Sequence, residues 1–291
     1  MIDVLQLLWG TLCLRPYVFI FLAVYLVAGV CHLGWRVTSA FIPLGYAVAW
    51  LSEYASIHLG IPYGDYFYIP ATVHEELWVA GVPFMDSLSY VFLSYCSYAT
   101  ALFLLSPLRF LGATPVVLET HRLRKSSLVL VFSAILFTFL DVIIDPVALR
   151  GERWFLGQIY GYRHEGVYFG VPLSNFAGWL VVGLALVALL QQLASTTALR
   201  PGRLPLSWRY PLVRMLGPVL YGSILAFNLS VTFWIGEVLL ATVGVFLVGL
   251  FVLMGSVWTV YKVEHLPEHA IICHLEDFPG SCAAVARDSR G

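Results

Sequence analysis

Charge is what this chain has least of. Only 11% of its 291 residues are Asp, Glu, Lys or Arg, and 60% are hydrophobic, against about 25% charged in a soluble domain. With a mean hydropathy of +0.84, that scarcity excludes an ordinary soluble protein and implies a polytopic membrane one. The formal net charge of −1 leaves no basic excess to neutralise phosphates, so no nucleic-acid partner is expected. Lysine is nearly missing: Lys125 and Lys262 both lie at or beyond the ends of apolar stretches. A retinal protein, which needs a Schiff-base lysine in mid-membrane, is thereby disfavoured. His58, His74 and His164 stand near Glu75, Glu76 and Glu165 without a His-Glu-x-x-His or Glu-x-x-His spacing, so no metal is expected among them. Met1–Leu14 has no basic segment ahead of its apolar run, so no cleaved signal peptide is expected and the first span reads as an uncleaved anchor. Cys13, Cys31 and Cys96 sit in apolar contexts and read as small buried hydrophobes.

What is present is long apolar runs. A spanning helix needs about 20 such residues, and seven stretches qualify: 16–34, 39–59, 84–105, 126–148, 171–193, 212–231 and 234–258. The expected fold is an all-α membrane bundle of about seven helices. Residues 1–262 form the embedded domain and 263–291 a polar, flexible C-terminal tail. The tail's His265, His269, Cys273, His274 and Cys282 superficially suit zinc but read as solvated residues. Alternating loops assign Arg36, Arg109, Arg122, Arg124, Lys125, Arg200, Arg203, Arg209, Arg214, Lys262, Arg287 and Arg290 to one side. Arg15, Arg150, Arg153 and Arg163 fall on the other. The richer side is cytoplasmic by the positive-inside rule, so the N-terminus is expected outside and the C-terminus inside a cell membrane.

On that topology Glu53, Asp86, Asp141, Asp145 and Glu237 all fall near the outer face. An ionisable residue within a span is costly and marks function by default. Glu53 lies about 10 Å below the end of its helix, at ~1.5 Å of rise per residue. Asp141 and Asp145 are four apart and share one helix face. Both ionised, they would repel, so the pair is expected to hold one proton between them. Pro146 follows directly and is expected to loosen the last turn, freeing carbonyls towards the site. A weak repeat accompanies the acids. Gly81-Val82-Pro83 and Gly170-Val171-Pro172 are 89 residues apart, a register that matches Asp86 with Asn175 and Tyr90 with Trp179. Glu53 and Asp141 precede their Gly-Val-Pro by similar distances. Two parallel units meeting at a binding site would produce this; a helix-starting Gly-X-Pro would produce part of it. The outer loops carry Tyr63, Tyr66, Phe67, Tyr68, Trp154, Tyr160, Tyr162, Tyr168 and Phe169, either an interfacial belt or rings that stabilise a cation.

These residues resemble the membrane-embedded carotenoid biosynthesis proteins that include the carotenoid 1,2-hydratases. The resemblance rests on Glu53 with Gly60-Ile-Pro-Tyr-Gly64 and Tyr66/Tyr68, then on Gly81-Val-Pro83 and Asp141-Val-Ile-Ile-Asp145-Pro146. It continues through Trp154 and Tyr168-Phe-Gly-Val-Pro172 to Asn175-Phe-Ala-Gly-Trp179. It implies addition of water to the C1=C2 bond of an acyclic ψ-end carotenoid, without a redox cofactor. On that basis Asp141 or Glu53 is the general acid and Asp145 orients water. Asp86 and Asn175 complete the polar network, and Tyr66, Tyr68, Trp154, Tyr168 and Trp179 shape the pocket for the substrate end. The partners implied are the carotenoid, membrane lipid and other carotenoid-biosynthesis enzymes. Two competing readings are a proton-coupled or lipid-type transporter, disfavoured because its acids usually lie near the midplane, and a non-catalytic component of a carotenoid-synthesis complex. Conversion of substrate by the purified protein would separate enzyme from scaffold.

Overall fold

A computed structural model describes residues 3–196 and 210–283. The connector residues Arg200, Pro201, Gly202, Arg203 and Arg209, and the tail residues Arg287 and Arg290, lie outside the described residues. The chain is mainly helical, and six helices are long and apolar enough to cross a membrane. They are α2 (Pro16–Leu33), α4 (Phe84–Leu105), α6 (Ser127–Ala148), α7 (Leu173–Ser195), α8 (Leu216–Trp234, extended by a 3₁₀ turn from Pro211) and α9 (Val238–Glu264). This is an all-α, multi-span membrane protein.

The remaining expected span, 39–59, lies in α3 (Trp35–Leu59), which has the length, 25 residues, but is not among the six apolar enough. Its bundle face carries polar side chains, Thr38, Glu53 and Ser56, buried beside Val37, Phe41 and Ala49, while Leu44, Leu51 and Leu59 are exposed. Polar groups of a span are expected on the side turned to the protein interior. The left-handed Gly60 ends the helix, its N–H bonding the Ser56 carbonyl, as glycine does past a helix C-terminus.

The repeat is present in the backbone. Val79 pairs with Val82 between β2 (Trp78–Val79) and β3 (Val82–Pro83), and Tyr168 pairs with Val171. In both tight turns the two central residues have positive φ: Ala80 (49°) and Gly81 (84°), Phe169 (51°) and Gly170 (94°), the signature of a type I′ turn. Each turn delivers a proline and then a helix, α4 or α7. Helix α3 packs on α4 and α7, and α6 packs on α7 and α4, so the two units interlock about α4, which is buried along most of its length.

Two ends result. At one, β1 (Tyr66–Tyr68) pairs antiparallel with β6 (Tyr160–Tyr162), bringing the 60–83 and 149–170 segments together. A short helix α1 (Val4–Leu14) joins this end: the Thr11 hydroxyl accepts from the Leu77 N–H at 2.8 Å. The buried Arg15 holds Glu76 at 2.9 Å and also donates to the Leu156 carbonyl. At the other end, the hairpin β4 (Leu108–Leu111)–β5 (Thr114–Val117) and α5 (His121–Arg124) carry a helix, α10 (Glu268–Asp277). The tail is therefore folded through residue 283, with Ala270, His274 and Phe278 buried, where a flexible segment was expected. His274 donates through Nδ1 to the Glu119 carbonyl and accepts at Nε2 from Ser281, both at 2.8 Å. Among the described residues, no three His, Cys, Asp or Glu side chains are grouped to hold a metal.

Candidate active site

The β1–β6 end covers one cavity of about 130 Å³. Its polar wall comes from both repeat units. Glu53 descends from α3, Asp86 opens α4, Asp141 and Asp145 close α6, and Asn175 opens α7; all five line the cavity and Glu53, Asp141 and Asn175 are buried. The fifth acid of the sequence, Glu237, is elsewhere: it pairs with Arg150 at 3.2 Å and with Arg153 at the surface.

Hydrogen bonds divide the acids by role. Asp145 is saturated: Oδ1 accepts from the Tyr160 hydroxyl, and Oδ2 from Tyr162 at 2.6 Å and Asn175 at 3.0 Å. Asn175 also reaches Asp141 Oδ2 at 2.7 Å, while Asp141 Oδ1, fully buried, has no partner. Glu53 Oε2 accepts from Ser87, and Asp86 Oδ2 accepts from Tyr68 at 2.6 Å. Among the described residues no cation forms an ion pair with any of these four. Burial, and next the adjacent carboxylates, push the hydroxyls of Tyr68 (beside Asp86) and of Tyr160 and Tyr162 (beside Asp145) above the ordinary tyrosine range. These phenols therefore stay protonated and act as donors.

Two carbonyls at the end of α6, those of Pro146 and Val147, have side-chain partners, whereas the carbonyl that Pro146 deprives of its donor is that of Val142, one turn earlier. Arg150 bonds the Pro146 carbonyl at 2.7 Å and the Trp154 indole bonds that of Val147 at 3.1 Å.

Aromatic rings complete the enclosure. Trp179 stacks on Tyr90, 4.7 Å between centroids at 21°, so the residues matched by the repeat are in face contact. Tyr66, Tyr68 and Trp154 line the cavity as expected, but Tyr168 does not. It belongs to the turn before Val171, with its ring against Phe169 and Phe176 and its hydroxyl unpartnered. Its place is taken by Tyr63 and Tyr90, and by Tyr17 and Phe227 from α2 and α8. Tyr63 was legible in the Gly60–Gly64 motif and Tyr90 in the repeat register. Nothing local singled out Tyr17 or Phe227.

Gly178, inside Asn175-Phe-Ala-Gly-Trp179, was also missed. A Cβ there would lie 2.7 Å from the Pro62 carbonyl oxygen and 2.6 Å from the Tyr63 ring, so the glycine lets the Gly60–Gly64 loop rest on α7. Gly178→Ala should destabilise by about 1–3 kcal/mol through overpacking. A thermal midpoint in detergent equal to that of the wild type would contradict this.

The two Gly-Val-Pro units, the acid pair and the aromatic loops thus form a single site, and comparison with known proteins gives it a context. A family model described as carotenoid biosynthesis protein matches residues 13–251. The chain belongs to that family. Membership carries a role in carotenoid biosynthesis. The match contains every residue that lines the cavity, from Tyr17 to Asn228, and ends within α9, before α10. No curated protein and no solved structure matches the chain.

Proposed function

We propose that this protein is a cofactor-independent carotenoid hydratase, adding water to the terminal C1=C2 bond of an acyclic ψ-end. The observation that carries the reading is that Asp141, which has one buried oxygen without a partner, lines an aromatic-walled cavity, with Glu53 arriving from a different helix. Protonating a trisubstituted alkene at C2 leaves a tertiary cation at C1, which water captures as a tertiary alcohol. The reaction needs an undissociated acid in an apolar setting, a carboxyl group to guide water, and ring faces near the cation.

Asp145, with three donors on its two oxygens, carries the charge of the α6 pair. Asp141 then holds the proton on Oδ1, which has no hydrogen-bond partner in the protein and is the oxygen free to deliver it to the alkene. Proton transfer from Asp141 to C2 breaks the π bond. Water adds to C1, and its surplus proton returns to the Asp141 carboxylate that the first transfer left, relayed by the uncharged carboxyl of the buried Glu53, which gives up one proton as it takes another and sits among the hydroxyls of Ser87, Tyr68 and Tyr90. That return closes the cycle. Asp145 thus positions Asp141 rather than orienting water itself. Tyr66, Tyr68, Trp154 and Trp179 surround the cation, each ring face contributing roughly 0.5–2 kcal/mol. The Lys/Arg distribution orients the site towards the outer face of the cell membrane, where water is available.

The test is pigment analysis in a lycopene-producing host with and without the gene. A product heavier by one water, with a tertiary hydroxyl at C1, is expected. Unchanged pigment in the presence of folded protein would overturn the reading.

A further inference from the structure

Part of the cavity wall comes from α2 and α8. Tyr17 and Phe21 of α2 and Phe227 of α8 line it there. The Tyr17 and Phe227 rings stack at 5.1 Å and 21°, and Phe21 meets Phe227 edge-on at 5.7 Å. These three are only partly buried, and their neighbours on the same helices face outward: Ile20 is 61% exposed, and Ser223, Ala226 and Ser230 are exposed. Phe155, 47% exposed, touches Tyr17 at 5.5 Å and Phe227 at 6.2 Å. These rings therefore form the wall where the cavity meets the lipid-facing surface.

Volume decides what such a wall is for. An apolar cavity of roughly 150 Å³ holds one benzene, so about 130 Å³ takes the terminal isoprenoid unit of a carotenoid and no more. The rest of the polyene, apolar throughout, must leave the cavity while its end reacts. Through the β1–β6 cap it would break the Tyr68–Asp86, Tyr160–Asp145 and Tyr162–Asp145 hydrogen bonds and meet water. Between α2 and α8 it displaces only ring contacts, which re-form against a polyene, and it meets lipid.

We propose that Tyr17, Phe21 and Phe227 form a lateral portal through which the end of a long polyene enters from the bilayer, the remaining chain lying along the α2–α8 seam. The proposal rests on the reading of the cavity as the site for a carotenoid end, not on which reaction follows.

The test uses the full chain in lipid nanodiscs, mixed with lycopene-loaded vesicles, with pigment uptake read from absorbance of the re-isolated discs against empty discs. Phe227→Trp should slow uptake about tenfold, as a gating step does to association, and Phe227→Ala should speed it. Val167→Trp, a comparable bulk added to the exposed outer loop, should leave uptake unchanged. Wild-type uptake rates in both Phe227 variants, equal slowing by Val167→Trp, or no protein-dependent uptake at all would each overturn the portal. If Phe227→Trp does not fold, faster uptake by Phe227→Ala still supports it and an unchanged rate still refutes it. Normal uptake without a water adduct would refute the hydratase reading while leaving the portal standing.

Discussion

Asp141→Asn is expected to lower hydration by about 10²–10⁴-fold, the usual worth of a positioned general acid. The substitution keeps the shape of the side chain and a polar partner for Asn175 while removing the only transferable proton at the unpaired Oδ1 position. Glu53→Gln should lower it over the same range, because an amide cannot relay the proton of the attacking water as a carboxyl group does. Product formation per mole of folded protein, in lycopene-loaded vesicles, is the measurement. Both variants should still take up pigment, which separates lost chemistry from lost binding. Wild-type hydration by both would remove the assignment of the two acids.

Removal of Glu119 should have the largest effect on stability. This buried carboxylate, at the end remote from the cavity, receives Arg124 at 2.7 Å and Arg214 on its other oxygen, with His32 at 3.4 Å. Burial alone would raise its pKa, but Arg214, Arg124 and His32 outweigh that and hold the carboxyl well below its ordinary range. Glu119→Ala leaves two buried guanidinium groups without their carboxylate, a loss of about 3–5 kcal/mol. The apparent midpoint of thermal unfolding in detergent should fall by on the order of 10 °C. The sign with pH follows from the depressed value. The stabilisation is complete above the unfolded pKa of about 4.3 and is lost as pH falls towards the folded one. Glu119→Gln should therefore flatten the acid limb of the stability profile. An unchanged midpoint in Glu119→Ala would mean that the cluster contributes nothing net.

The acids were legible because hydrocarbon makes them conspicuous: a carboxyl among twenty apolar residues has few structural reasons to be there. The spacing of Asp141 and Asp145 placed both on one face, and the 89-residue offset paired Tyr90 with Trp179, which do stack. Glu237 and Tyr168 were misleading for the same reason. Their position along the chain puts them at the correct membrane level, but level does not specify direction around a helix or turn. Glu237 faces Arg150 and Arg153 at the surface, and Tyr168 turns to Phe169 and Phe176. Tyr17 and Phe227 were invisible because an aromatic residue in an apolar span is unremarkable until the opposite helix is known.

The sequence alone determined that this is a helical membrane protein with its intramembrane acids gathered at one level, because span length and the cost of buried charge are local properties of a chain in lipid. Tertiary structure decided which of those acids share a cavity and which oxygen is left unpaired. It also decided that two helices far apart in sequence bring aromatic rings into one wall of the cavity. Those outcomes depend on the rotation and pairing of helices, set by contacts such as Gly178 against Pro62 and Tyr90 against Trp179 that no single stretch of sequence contains.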